Sequence, residues 1–366
     1  MPLELTSFIG REWETTEVKR LLADQRLLTL TGPGGCGKTR LALAVAKDLV
    51  EDFEDGVGLV ELASLSDPDL VPQAAASALK VREQPGRPLE KTLVDALRLK
   101  RILLVLDNCE HLIDATARFV ETVLTSCPRL SFLATSREAL GIAGETLWPV
   151  PSLSLPDPGH PPPVEELARY EAIRLFAERP KVVVPTFEMT EHNAPAMARV
   201  CQLLDGIPLA IELAAARAKV LSVEQIAGRL DESFGLLAGG GRTAVPHHRT
   251  LQATMEWSHE LLGEEERVLF RRLSVFAGGF TLGAAEAVCA DGSIEEDGIL
   301  DLLARLVDKS IVVVATHERE EEARYRLLET VRQYGREKLE EAGEAERSRS
   351  GTRGTIWPWP RRPNRS

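Results

Sequence analysis

Gly32-Pro33-Gly34-Gly35-Cys36-Gly37-Lys38-Thr39 lies between a short apolar run, Leu27 to Thr31, and an Ala/Leu/Val-rich stretch, Thr39 to Val50. The spacing is G-x-x-x-x-G-K-[ST], with a strand-like pattern before it and a helix-like pattern after it. Glycines let a backbone wrap around phosphates, with N–H groups and the helix N-terminus facing their charge. Lys38 is then expected to reach the β- and γ-phosphates, and the Thr39 hydroxyl to ligate Mg²⁺. The expected binding segment for ATP or ADP comprises Gly32, Pro33, Gly34, Gly35, Cys36, Gly37, Lys38, Thr39 and Arg40.

A magnesium ion also needs a carboxylate near the end of a neighbouring strand. Arg101-Ile102-Leu103-Leu104-Val105-Leu106-Asp107 offers a basic residue, an apolar strand and an acid, so Asp107 is the second expected Mg²⁺ ligand. An Asp after a strand also serves as a helix cap. Many phosphate-loop ATPases carry a second acid next, but here it is Asn108, whose amide can hold a water and cannot take its proton. Glu110 is the nearest alternative base, and it reads equally well as a first-turn helix acid. Slow hydrolysis is the expectation. The strand Ser131 to Ala134 ends in Thr135-Ser136-Arg137, where Arg137 is a candidate γ-phosphate sensor or a surface loop arginine.

Positioning these groups requires a sheet. Leu27–Thr31, Val57–Leu62, Ile102–Leu106, Ser131–Thr135 and Thr146–Val150 read as strands, and 39–50, a start near Asp67-Pro68, 89–99 and 111–125 read as helices. The alternation predicts an α/β fold, a parallel sheet with helices on both faces, over residues 1–150. Seven prolines within Pro149 to Pro163 predict a stiff linker, 151–163. An all-α helical domain is expected over 164–238, with helices at 165–178, 191–204, 208–220 and 223–230. Gly239-Gly240-Gly241 suggests a joint. Helices at 250–262, 264–274, 282–288 and 299–308, followed by a hairpin of 310–315 with 324–327, outline a winged-helix domain over 245–342.

With 44% hydrophobic and 27% charged residues, the chain has the composition of a soluble globular protein. No apolar run approaches the roughly 18 residues of a membrane span, and Met1 to Gly10 lacks a signal-peptide pattern. Five scattered cysteines without a CxxC pair argue against disulfides or zinc, and a reducing cytoplasm is expected. The net charge of −12 opposes non-specific attraction to nucleic acid. Residues from Arg347 carry six arginines and no acid, so residues 1–346 carry −12 − 6 = −18; the 343–366 tail is expected to be basic and disordered. His247-His248 lacks a ligand-spaced partner, so no metal is expected there.

The ordered motifs resemble the STAND class of signal-transduction ATPases, in the NB-ARC-like form found in LuxR/AfsR-type bacterial regulators. The resemblance covers roughly residues 6–342. It rests on Phe8-Ile9-Gly10-Arg11-Glu12, the phosphate loop, Leu104 to Leu112, Ala134-Thr135-Ser136-Arg137-Glu138 and Gly206-Ile207-Pro208-Leu209-Ala210. Leu273 to Phe280 and Tyr325 to Gly335 match further downstream. The resemblance implies that Ile9 and Arg11 lie near the adenine and that Pro208 packs against the base and reports nucleotide state. Read from its residues alone, Gly206-Ile207-Pro208 is only a turn and a helix start. Where the family carries Met-His-Asp, this chain has Leu327-Leu328-Glu329, so the histidine that contacts ADP is missing.

The expectation is an ATP/ADP-dependent conformational switch in transcription or a related signalling pathway. Lys38, Asp107, Glu110 and Arg137 are the expected catalytic groups. Expected partners are the nucleotide, a protein signal or effector, and the chain itself in the ATP state. Since the family uses its winged helix as an internal switch element, and the body is acidic, direct DNA binding and membrane association are not expected. The alternatives are an ATP-gated scaffold with negligible hydrolysis, a DNA-binding regulator using the winged helix or the arginine tail, and a small-molecule kinase.

Overall fold

A computed structural model describes residues 7–157, 159–160, 162–182, 184–237, 252, 255–256, 258–260, 262–277, 279–291, 294–309, 311–315 and 322–344. The chain forms two compact units, one ending at Thr254 and the other starting at Met255. The readings for Gly239-Gly240-Gly241, His247-His248 and the tail from residue 345 fall outside the described residues, as does part of the 250–262 helix.

The first unit is built on a five-stranded sheet of β1 (Leu27–Thr31), β2 (Val57–Glu61), β3 (Leu103–Asp107), β4 (Ser131–Ser136) and β5 (Thr146–Pro149). The strand order is β2-β3-β4-β1-β5, and every pairing is parallel. The run Leu103–Leu106 is continuously apolar because both faces of the sheet are covered. Leu104 and Leu106 enter one core with Val71 and Ala75 of α3 (Val71–Ala78), Leu93 of α4 (Leu89–Leu97) and Phe119 of α5 (Ile113–Ser126). Leu103 and Val105 enter the other with Val18 of α1 (Glu12–Asp24) and Leu41 and Val45 of α2 (Lys38–Asp48). Helix α1 went unread in the sequence. Its apolar stripe is short, with Val18 and Leu22 buried four residues apart.

Beyond β5 the chain runs through prolines into α6 (Val164–Leu167), α7 (Glu171–Glu178), α8 (Ala194–Leu203), α9 (Pro208–Ala215) and α10 (Val223–Leu237). The single helix expected over 165–178 is two, broken at Ala168–Tyr170. The proline-rich stretch is bonded to its surroundings: Val150 N–H donates to Thr31 O at 2.8 Å and Leu153 N–H to Gly206 O at 2.9 Å. Leu153 itself is buried.

The second unit has helices Glu264–Leu273, Leu282–Cys289, Ile299–Asp308 and Glu329–Glu341. Its three strands, β6 (Phe280–Thr281), β7 (Val312–Ala315) and β8 (Arg324–Leu327), are ordered β6-β8-β7 and antiparallel, which makes a winged helix. The hairpin matches expectation. Strand β6 and the helix 329–341 were not read as elements.

Candidate functional site

The C-terminal ends of β1, β4 and β3 lie side by side, and each delivers part of the site. Beyond β1, Gly32, Gly35 and Gly37 have φ of 148°, 78° and 95°. Side chains are strained at such angles, so glycine is what allows the loop to curl. Gly37 caps α2 without a side-chain hydrogen bond, which leaves the first-turn N–H groups without a side-chain acceptor and suited to an anion. The buried Lys38 ammonium donates to Gly32 O at 2.8 Å and Pro33 O at 3.0 Å. These carbonyls are neutral partners that phosphate oxygens can replace. Cys36 is buried within the loop, and burial raises its thiol pKa despite nearby Lys38.

Thr39 Oγ1 donates to Asp107 Oδ1 at 2.7 Å, bringing together groups 68 positions apart. Both are hard oxygen donors. Among the described residues no group of three or more His, Cys, Asp or Glu is arranged to hold a metal. With Thr39 and Asp107 as its two protein oxygens, a Mg²⁺ here would take the rest of its shell from phosphate oxygens and water.

One residue of this cluster had no role assigned from sequence. Thr135 Oγ1 donates to the same Asp107 oxygen at 2.6 Å and accepts Asn108 N–H at 2.9 Å. Thr135 is 1% exposed. The polar triplet Thr135-Ser136-Arg137 ending an apolar strand was the available signal. Asn108 takes a left-handed conformation, φ 66°, and its amide lies 3.4 Å from His111 Nδ1. The other ring nitrogen of His111 is 3.0 Å from Leu65 O, so the ring donates there and accepts from Asn108.

Glu110 sits in the 3-10 turn Cys109–His111, and Arg137 is the first residue past β4. The two candidates meet: Arg137 Nε is 3.3 Å from Glu110 Oε1, with side-chain exposures of 34% and 13%. Glu110 Oε2 is buried with no hydrogen-bond partner.

Arg11 is almost fully buried with φ 67°. Its guanidinium donates to Glu14 at 2.8 Å, to the phosphate-loop carbonyl of Cys36 at 3.2 Å and to Pro151 O. Its N–H meets Glu171 Oε1 at 2.6 Å. These bonds clamp the loop to the end of β5, and half-buried Ile9, which the resemblance places with Arg11 near the adenine, lies two residues earlier. Arg40 binds Glu212 at 3.2 Å and Ser7 O at 3.0 Å, so its guanidinium bonds to α9 and the N-terminal segment. Glu212 also pairs with Arg179 at 2.8 Å. Pro208 opens α9, and its Cγ is 3.8 Å from where a Cβ on Gly37 would stand. The next N–H, Leu209, donates to Gly35 O at 3.2 Å. Leu327 ends β8 and Leu328 precedes the last helix of the second unit.

Known proteins share this layout. The family described as AAA domain matches residues 21–141, and that described as winged helix-turn-helix domain matches 262–340. The uncharacterized protein Rv0894 of Mycobacterium tuberculosis is 46% identical over 343 residues, 93% of this chain and 84% of its own length. Rv0890c of the same organism, whose name places it among HTH-type transcriptional regulators, is 47% identical over 90% of this chain. Regulatory protein AfsR of Streptomyces griseus is 28% identical over 92% of it. The chain spans only 35% and 33% of those two longer relatives. Among solved structures, the STAND protein PH0952 of Pyrococcus horikoshii, which has a tetratricopeptide repeat sensor, aligns with a TM-score of 0.60 and 16% identity. That alignment covers 98% of this chain and 47% of that one, and it is a likeness of fold.

Proposed function

The chain belongs to the family of the Rv0894 protein of Mycobacterium tuberculosis, and from that premise we propose that it is a STAND-class P-loop ATPase like those of AfsR-type regulators, an ATP- and ADP-binding conformational switch. The observation that carries this reading is the seat of α9 on the phosphate loop, through Leu209 N–H to Gly35 O and Pro208 against Gly37. A loop that rearranges around phosphates must shift or release that helix, so the helical segment follows the nucleotide. Lys38 and the loop N–H groups bind the phosphates, while Thr39 and Asp107 hold Mg²⁺, which neutralises charge on the β- and γ-phosphates when bound. Asn108 cannot act as a base, which supports slow turnover. A protein signal and self-association in the ATP state complete the reading, with transcriptional regulation as the output by analogy with the named relatives.

Lys38→Ala and Asp107→Ala should each abolish or strongly weaken ATP binding measured by calorimetry. Unchanged binding in both variants would falsify the reading. A single-turnover assay separates a slow ATPase from a scaffold that only binds ATP.

The winged-helix family match favours a second reading, direct DNA binding. The helix Ile299–Asp308 exposes Leu300, Asp301, Ala304 and Arg305, and Glu295, Glu296 and Asp297 precede it. One arginine among four acids is a poor match for phosphates and base edges, so we favour the switch. Salt-sensitive retention on DNA at 50–200 mM salt, on the order of 10³-fold weaker at the upper end, would reverse that preference.

A further inference from the structure

Glu110 is largely buried, one of its carboxylate oxygens pairs with Arg137 Nε at 3.3 Å, and the other is buried with no hydrogen-bond partner. Asn108, in the position after Asp107, turns its amide towards His111 through a left-handed backbone. Arg137 follows β4, the strand between β1 with its phosphate loop and β3 with Asp107.

A buried carboxylate oxygen without a donor is an acceptor shaped for an O–H group. Water is the small donor that the reaction itself supplies. The 3-10 turn after Asn108 brings Glu110, three residues past Asp107, to the end of β3, where residue 108 supplies no base. Yet the oxygen that is not awaiting a donor is already held by the arginine that would sense a γ-phosphate. A guanidinium Nε–H can serve only one of these anions at a time. The γ-phosphate carries more charge and more acceptor oxygens than a single carboxylate, so it wins the contest when present.

We propose that Glu110 and Arg137 form an exchange pair. Without a γ-phosphate, Arg137 holds Glu110; when ATP binds, Arg137 passes to the γ-phosphate and Glu110 is released to act as the base. In the step that follows, the water oxygen bonds to γ-phosphorus and the bond from γ-phosphorus to the bridging oxygen breaks. ADP leaves, and the water proton goes to Glu110 Oε2. The scheme rests on the nucleotide-switch reading above. It adds a thermodynamic consequence: ATP binding must break the Glu110–Arg137 pair, whereas ADP binding leaves it intact.

The test is calorimetric titration of ATP and ADP into the full chain, with single-turnover hydrolysis. In Glu110→Gln, ATP affinity should rise about threefold, the worth of a partly exposed ion pair, while ADP affinity stays level and hydrolysis is lost. In Arg137→Ala, ATP affinity should fall and ADP affinity stay level. In the double variant, Glu110→Gln should no longer raise ATP affinity, because the pair it relaxes is already gone. Equal shifts for ATP and ADP, or an undiminished gain in the double variant, overturn the exchange pair alone. A wild-type chain that binds neither nucleotide overturns the switch reading beneath it. If Glu110→Gln fails to fold, as loss of ADP binding would reveal, Glu110→Asp decides. It keeps a carboxylate and shortens the reach to Arg137, so the ATP-to-ADP affinity ratio must still rise; an unchanged ratio rejects the proposal.

Discussion

At the residue scale the site depends on hydroxyls as much as on charges. Asp107 Oδ1 accepts from both Thr39 and Thr135, so the carboxylate is oriented from two sides before any ion arrives. Thr135 also accepts the N–H of Asn108, which ties the backbone after β3 to β4. Thr135→Val keeps the shape and leaves that N–H and one carboxylate contact unmet within a buried site. The expected cost is about 1–3 kcal/mol in urea unfolding, with Mg·ATP affinity falling about tenfold. Thr135→Ser should recover most of both. A Val variant with wild-type Mg²⁺ dependence would show that Thr39 alone orients Asp107. The guanidinium of Arg11 is bonded to Glu14, Cys36 O and Pro151 O, a set that includes two backbone carbonyls from distant segments. No spacing rule relates residue 11 to residues 36 and 151.

At the element scale the phosphate loop is held by what abuts it. Helix α9 begins on the loop, and Gly206 just before it packs on the proline-rich stretch: a Cβ there would lie 2.4 Å from Leu153 O. Gly206 also has φ 64°. Gly86 separates the two effects, since it has φ 77° and nothing within 4 Å of a Cβ. Gly86→Ala should cost only the left-handed penalty, about 1–2 kcal/mol. Gly206→Ala adds a backbone collision and should cost about 3 kcal/mol or more, read as the difference in urea midpoints. Equal costs would mean that the 151–157 stretch yields freely, against its hydrogen bonds. The charged contacts nearby, Arg40 and Arg179 on Glu212, are partly exposed and weaker ties than this close backbone packing.

At the scale of the whole molecule, the unit carrying the phosphate loop is where a nucleotide can change stability. Binding to the folded state alone stabilises by RT ln(1 + [L]/Kd), so ADP at about 100 times its Kd should add ~2.7 kcal/mol. Lys38→Ala should erase that gain in a thermal or urea melt; an equal gain in the variant would place the ligand elsewhere. Among the described residues no helix is long and apolar enough to cross a membrane, and the cysteines are free and buried. The second unit contributes a buried Arg272 bonded to Cys289 O, Asp291 and Glu344, a polar cluster that its hydrophobic pattern did not reveal.

The sequence by itself determined the elements whose signal is local. The strands Leu27–Thr31 and Leu103–Asp107, the glycine loop and the hairpin of β7 and β8 each carry their period or turn chemistry within about ten residues. Tertiary structure alone decided which distant groups meet. Thr135 reaches Asp107 because β3 and β4 pair in parallel register, and Arg137 reaches Glu110 because both follow the carboxyl ends of these neighbouring strands. Arg11 fills a space bounded by the loop and the end of β5. Side-chain partners across strands are set by register and burial, and neither leaves a periodic trace in the chain.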